Sequence, residues 1–348
     1  MATESKANTM KRAIISGLML AASIGFQAPA AAQTLDMVRD RGSLHCAVPA
    51  DMRGFAVLDA SGSWSGFDVA FCRALAAAVL GSSTAVEFVP GSRDERIEAL
   101  ISGEADVVSG NLGWRYQTDA QWPLSFVGVT LFDGLGFMVS RELGVAAAQE
   151  LDGLRICVDP EASSTRALDE YFGTMEKTYV AVPVHSRAEV QEQYLGGGCD
   201  AVSAELSRLA AIRAGFAAPA DHVFLPEVFA REPQSLVVRD DDPQWADVVR
   251  WTLNALILAE ELGVTSANVD ELAAGTQNPH AARLLGVSGD LGALLELEPD
   301  WARRAIAAGG HYGEIFAANI GQQTPIGLAR GLNALWTQGG LMYSPPFR

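Results

Sequence analysis

Four cysteines carry the most definite chemistry in this chain: Cys46, Cys72, Cys157 and Cys199. An even set of thiols reads as disulfides in an oxidising compartment and as metal or redox chemistry in a reducing one. Three connectivities are open, and the local pairing Cys46–Cys72 with Cys157–Cys199 puts one bridge in each of two expected lobes. Zinc is poorly served: there is no Cys-x-x-Cys, and His45, His185, His222, His280 and His311 stand far apart. Neither a metal nor a cofactor is expected. The stretch Ser61-Gly62-Ser63-Trp64-Ser65-Gly66 is a flexible turn and not a Gly-x-Ser-x-Gly nucleophile elbow. Gly196-Gly197-Gly198 runs straight into Cys199 and lacks the pattern of a phosphate loop.

The compartment is set by the first residues. Lys11 and Arg12 precede an apolar run from Ala13 to Phe26, and Ala30-Ala31-Ala32 follows. A charged start, a short apolar core and a small-x-small site predict a secretory signal peptide over residues 1–32. That core is shorter than the roughly 20 residues a membrane helix needs. Export therefore favours disulfides. The chain has 348 residues, enough for about two domains. Acidic residues outnumber basic ones 42 to 25, a net charge of −17. Such a balance argues against nucleic acid and against anionic lipid as partners.

The elements that must position any site alternate. Strands are predicted over Ser43–Val48, Val86–Val89 and Ala105–Ser109, with helices over Phe67–Leu80 and Asp94–Ile101. In the first helix Val69, Cys72, Leu75, Ala76 and Val79 share one face. A similar order follows Gly153-Leu154-Arg155-Ile156-Cys157, with a helix over Arg187–Tyr194, a strand over Cys199–Val202 and a helix over Ala204–Ala214. Such alternation predicts an α/β fold with parallel pairing, here in two lobes. Two short extended segments, Gly136–Val139 and Ser235–Val238, are the expected crossovers between them. The rest reads as mostly helical: Trp245–Leu262, Ala281–Leu285, Asp300–Ala308 and Gly327–Leu335.

The stretch Gly66-Phe67-Asp68-Val69-Ala70-Phe71-Cys72-Arg73 resembles the signature of polar amino-acid solute-binding proteins of ABC importers, with Ala70 in place of a second acid. Longer stretches resemble the general L-amino acid-binding proteins. They include Phe132-Asp133-Gly134-Leu135-Gly136-Phe137-Met138-Val139, the run from Ala259 to Asp270, and Ala329-Arg330-Gly331-Leu332-Asn333-Ala334-Leu335-Trp336. The resemblance implies a type II periplasmic binding-protein fold: lobe one from residues 36–138 and 235–348, lobe two from 139–234, and a hinge between them. It further implies a monomer that traps a small-molecule ligand and docks on ABC permease subunits. In such proteins an Arg and hydroxyls hold the ligand carboxylate, and an acid of the second lobe holds its ammonium.

Carried over residue by residue, the resemblance puts the hydroxyl position on Gly113 and the carboxylate-binding Arg on Thr118. Asn111 belongs to the same loop. Arg115, three residues before Thr118, would share a helical face with it and supply a substitute guanidinium. On lobe two the Gly-Thr-Thr loop falls on Glu161-Ala162-Ser163, and the ammonium-binding acid falls on Glu205. Phe55 and Trp64 are candidate rings around a ligand side chain, and Trp114 adjoins the carboxylate turn. Asp68 reads equally as a helix-terminus partner and as a ligand contact. With an Arg lost and Glu161 gained, the cleft suits either an amino acid held by Arg115 or an amine-bearing solute. Two alternatives keep the fold and change the role: a cyclohexadienyl dehydratase-like enzyme with Glu161 as its acid, or a solute sensor.

Overall fold

Eleven strands organise the described residues. The first half contributes β1 (Leu44–Pro49), β2 (Val57–Leu58), β3 (Trp64–Ser65), β4 (Val86–Gly91) and β5 (Val107–Val108). A long strand, β6 (Leu124–Ser140), leads into β7 (Arg155–Val158), β8 (Val180–Pro183), β9 (Ala201–Glu205) and β10 (His222–Phe224) of the second half. A second long strand, β11 (Ala230–Arg239), returns to the first. The computed structural model describes residues 33–160 and 163–348; the expected signal peptide and Glu161 lie outside the described residues.

Sheet order is β4-β1-β5-β11-β6-β9-β7-β8, with β10 also on β6. Each half has the same plan. Its first strand pairs in parallel with its second on one side and its third on the other: β1 with β4 and β5, β7 with β8 and β9. An antiparallel long strand then closes each set, β11 beside β5 and β6 beside β9. At about 3.3 Å per residue, the 17 residues of β6 span roughly 55 Å, enough to serve both halves.

The crossovers thus differ from the short segments that the sequence predicts. Gly128, Asp133, Gly134 and Gly136 lower the strand propensity of β6, but its neighbours β11, β9 and β10 supply ladder bonds along its length. Leu135–Val139 already pair with β9, so a boundary at 138/139 falls inside a strand committed to the second half.

Other elements follow local signals. The helix Phe67–Leu80 appears with the expected ends, stopped by Gly81 in the left-handed conformation. Pro243–Leu262 starts at Asp242, whose side chain accepts from the Trp245 N–H at 2.9 Å. Where a helix was expected over Gly327–Leu335 there is one 3-10 turn, Gly331–Asn333. The segment is held instead by Asn333, whose amide bonds both the N–H and the carbonyl of Phe132 on β6. An unexpected helix, Tyr312–Asn319, sends the Tyr312 hydroxyl to the Thr130 carbonyl at 2.9 Å. No helix among the described residues is long and apolar enough to cross a membrane.

Both local disulfides form, Cys46–Cys72 and Cys157–Cys199, with Cα separations of 6.1 and 5.6 Å. The first ties β1 to the helix Phe67–Leu80, and the second ties β7 to the turn before β9. With 26 and 42 residues between their ends, loop entropy puts their stabilisation at about 3.5 and 4 kcal/mol.

Candidate ligand-binding cleft

Strand order alone locates the cleft. In the first half the chain leaves β1 toward β4 but reaches β5 on the opposite side, so the loops after β1 and β5 diverge. The second half repeats this at β7 and β9. Such switch points open crevices at the carboxyl ends of parallel strands. Residues 109–118 follow β5, Asp159 follows β7, and Glu205 ends β9.

On the first half, Ser92 caps the helix Arg93–Ser102 through a capping box with Glu95. Arg93, the first residue of that helix, donates from Nη2 to Thr118 Oγ1 at 3.2 Å. Thr118 is buried, while 44% of the Arg93 side chain meets solvent. A guanidinium therefore does stand at Thr118, but it comes from another part of the chain. The loop before it bends sharply: Gly110 has φ +94°, and a Cβ there would lie 1.8 Å from Asp68 Oδ2. Asn111 follows at φ +46°, and Gly113 bridges to Gln234 of β11.

Arg115 departs from expectation. The helix begins only at Tyr116, and Arg115 is its extended N-terminal cap at φ −118°, ψ 143°. It does not share a helical face with Thr118. Its side chain turns to β11, where Nε donates to both oxygens of Glu232 at 2.9 and 2.7 Å. Nη2 lies 3.7 Å from Glu205 Oε1, joining the two halves. Burial raises the Glu232 pKa, opposed chiefly by its bond to Arg115.

On the second half, Glu205 ends β9 with its side chain 14% exposed. Nearby on β6, Asp133 accepts from the Gly134 N–H at 2.8 Å and from the Ser207 N–H at 3.4 Å. Burial pushes its carboxyl up to about 7, against those hydrogen bonds and with help from the charge of Glu205. Ser163 opens the helix Ser163–Thr174 beyond β7. Asp51, after β1, and Arg187, after β8, pair across the cleft mouth at 2.8 Å.

The aromatic candidates separate. Phe55 is 3% exposed, meets Phe67 edge-on at 6.0 Å, and lines a recess beside the cleft. Trp64 does not line that recess; it packs on Phe88 with centroids 5.5 Å apart. Trp114 stacks on Phe126. Sequence reasoning missed Arg93, Asp133, Glu232 and Gln234. The one available signal was Glu232 and Gln234, polar residues just ahead of the apolar Leu236-Val237-Val238.

Two α/β halves exchanging long strands, with charged groups gathered where their switch points meet, define a two-lobed solute-binding protein. The model of bacterial extracellular solute-binding proteins, family 3, matches residues 44–267, and the chain belongs to that family. It is 48% identical over 338 residues to the glutamate/glutamine/aspartate/asparagine-binding protein BztA of Rhodobacter capsulatus, covering 97% of this chain and 99% of that one. It is 44% identical to the general L-amino acid-binding periplasmic protein AapJ of Rhizobium johnstonii, over 97% of this chain and all of the relative. A solved ABC transporter/periplasmic binding protein from Brucella ovis with glutathione bound superposes with a TM-score of 0.88 at 43% identity, covering 91% of this chain and 100% of that one. The relatives are binding proteins, and so is this chain; it is not an enzyme of the dehydratase type.

Proposed function

We propose that this chain is the monomeric periplasmic receptor of an ABC importer, closing on an L-amino acid or related amine-bearing solute and delivering it to membrane permease subunits. The observation that carries the reading is the opposition of charge across the cleft. Arg93 and the Thr118 hydroxyl stand on one half, and Glu205 at the end of β9 stands on the other. An α-amino acid is a small zwitterion that satisfies both signs, and charge-assisted bonds orient it. The names of the relatives, which bind amino acids, and the glutathione in the Brucella ovis structure support the same chemistry.

In this reading the lobes are residues 36–138 with 235–348, and 139–234, with β6 beginning to pair with β9 at Leu135, a few residues before the first boundary. Hinge closure buries the polar groups only when a ligand arrives to pair with them. Arg93 takes the carboxylate, with Thr118 beside it; Glu205 takes the ammonium; Asn111, Gly113 and Ser163 lie along the same edges, and Glu161 tunes specificity. Arg115 serves as the counter-ion that lets Glu232 and Glu205 share the cleft.

A second reading, a polyamine or similar cation, is favoured by one observation. Arg115 is already spent on Glu232, which leaves Asp133 and Glu205 in excess over Arg93. Isothermal titration separates the two, using the twenty L-amino acids, glutathione, putrescine and spermidine. Heat from amino acids, reduced about ten- to hundredfold in affinity by Arg93→Ala, supports the first. Heat from the amines alone supports the second, and no heat from any of them defeats both.

A further inference from the structure

Where β6 passes from the first half to the second, part of its bonding comes from the C-terminal segment. Against β11, Gln234 faces Leu131 and Ser235 faces Val129, so Thr130 is an extra, bulged residue. Its carbonyl accepts from the buried Tyr312 hydroxyl at 2.9 Å. Two residues on, the Asn333 amide holds both the N–H and the carbonyl of Phe132, at 2.6 and 3.1 Å. Pro233, opposite Phe132, has no N–H, and its carbonyl accepts from the Trp114 N–H at 2.8 Å. Arg330 fixes Asn333 in place, donating to its backbone carbonyl at 3.0 and 2.8 Å and pairing with Glu260 at 3.0 Å.

Between these two anchors the same segment reaches the second half. Ile326, 2% exposed, presses on the loop after β1, where a Cβ at Gly54 would overlap its Cγ1. The Ile326 carbonyl accepts from Arg213 Nη2 at 3.1 Å. Arg213 ends the helix Leu206–Arg213 that follows Glu205, and its guanidinium lies 4.1 Å from the centre of the Phe224 ring. That helix serves two cores: Leu209 and Ile212 pack with the second half, Ala210 and Ala211 with the first. Arg53, in the loop after β1, lies against Gly215 just past the helix. Asp51 of that loop pairs with Arg187, again across the cleft mouth.

We propose that the segment Tyr312–Asn333 is a strap, anchored at the hinge on β6 and latched to the second lobe through Arg213 and Ile326, that biases the lobes toward closure before a ligand binds. The loop under Ile326 stands at the carboxyl end of β1, on the cleft. A rotation that opens the lobes therefore breaks the bond from Arg213, whereas the anchors lie at the pivot and survive it. The proposal rests on the two-lobed receptor reading above and adds a device that sets affinity away from the ligand. Arg93, Thr118 and Glu205 keep the roles given to them. A receptor whose closed state is partly populated binds with its intrinsic affinity reduced by that fraction. The strap raises the fraction, and its latch is a charge-assisted bond, stronger than a neutral one.

The test is small-angle scattering and titration calorimetry on the mature protein, Arg213→Met and Arg213→Lys, with L-glutamine and L-glutamate as probes. Methionine keeps an apolar stem over Phe224 and removes the donor; lysine restores a charged donor. Arg213→Met is expected to have a larger ligand-free radius of gyration than the wild type and the same radius once saturated. Its affinity for both probes is expected to fall about three- to tenfold. Arg213→Lys is expected to recover most of both changes. A merely structural role lowers the melting midpoint and leaves the ligand-free radius and the affinity unchanged, and that result overturns the strap. Weaker binding at an unchanged radius also overturns it, since Arg213 then acts on the ligand directly. Absence of binding by the wild type to any amino acid overturns the proposed function instead, while the ligand-free scattering still decides the strap.

Discussion

Replacing Arg115 by Met tests whether this guanidinium is a counter-ion or a ligand anchor. Glu232 is 5% exposed and receives two hydrogen bonds from Arg115 Nε. Without them a buried carboxylate stands unpaired, with Glu205 adding repulsion. Breaking a fully buried pair costs roughly 3–5 kcal/mol. A quarter of the Arg115 side chain, 24%, still meets solvent, so the cost belongs at the lower end, about 3 kcal/mol. Unfolding entropy near 2.1 cal/mol/K per residue converts this to a midpoint drop of roughly 4–5 °C. Adding Glu232→Gln removes the stranded charge and is expected to recover most of the loss. Thermal and urea melts of both single variants and the double variant, followed by circular dichroism at pH 7.5, supply the cycle. The result that refutes the reasoning is Arg115→Met melting like the wild type while losing amino-acid binding.

Two further outcomes follow from the charges of the cleft. Asp133 titrates near 7 in the folded protein against 3.8 for the ordinary group. The folded state thus keeps a proton that the unfolded chain has released, and stability falls as pH rises from about 4 to 7. Asp133→Asn should gain on the wild type over that window, read from urea midpoints at pH 4, 5.5, 7 and 8; a gain independent of pH would falsify the assignment. The Asp51–Arg187 pair is 58% and 37% exposed, and such pairs contribute about 0.2–1 kcal/mol. Asp51→Ala should weaken ligand binding by up to about fivefold at low salt, with the difference vanishing in 0.5 M NaCl. Equal affinities at low salt would remove this pair as a closing contact.

Much of the scaffold was legible because its causes are local. The apolar face of Phe67–Leu80 and the glycines on either side define that helix within one stretch of chain. Alternating strands and helices imply parallel pairing, and cysteines inside the same half pair with each other. The long strands were not legible. Gly128, Gly134 and Gly136 weaken the local pattern, and only ladder bonds from β9, β10 and β11 make β6 continuous.

The candidate site divides in the same way. The loop after β5 and the end of β9, which carry Thr118 and Glu205, were readable as elements from residue order and resemblance. The site's charge partners were not. Arg115 and Glu232 are 117 residues apart, Arg93 and Thr118 25 apart, and neither pairing follows a helical or strand period. The amino-acid order by itself determined which segments coil or extend and which thiols are near enough to join. Only the packed chain decided which guanidinium pairs with which acid and which carboxylates lose their water, because desolvation depends on neighbours that folding brings from elsewhere in the chain.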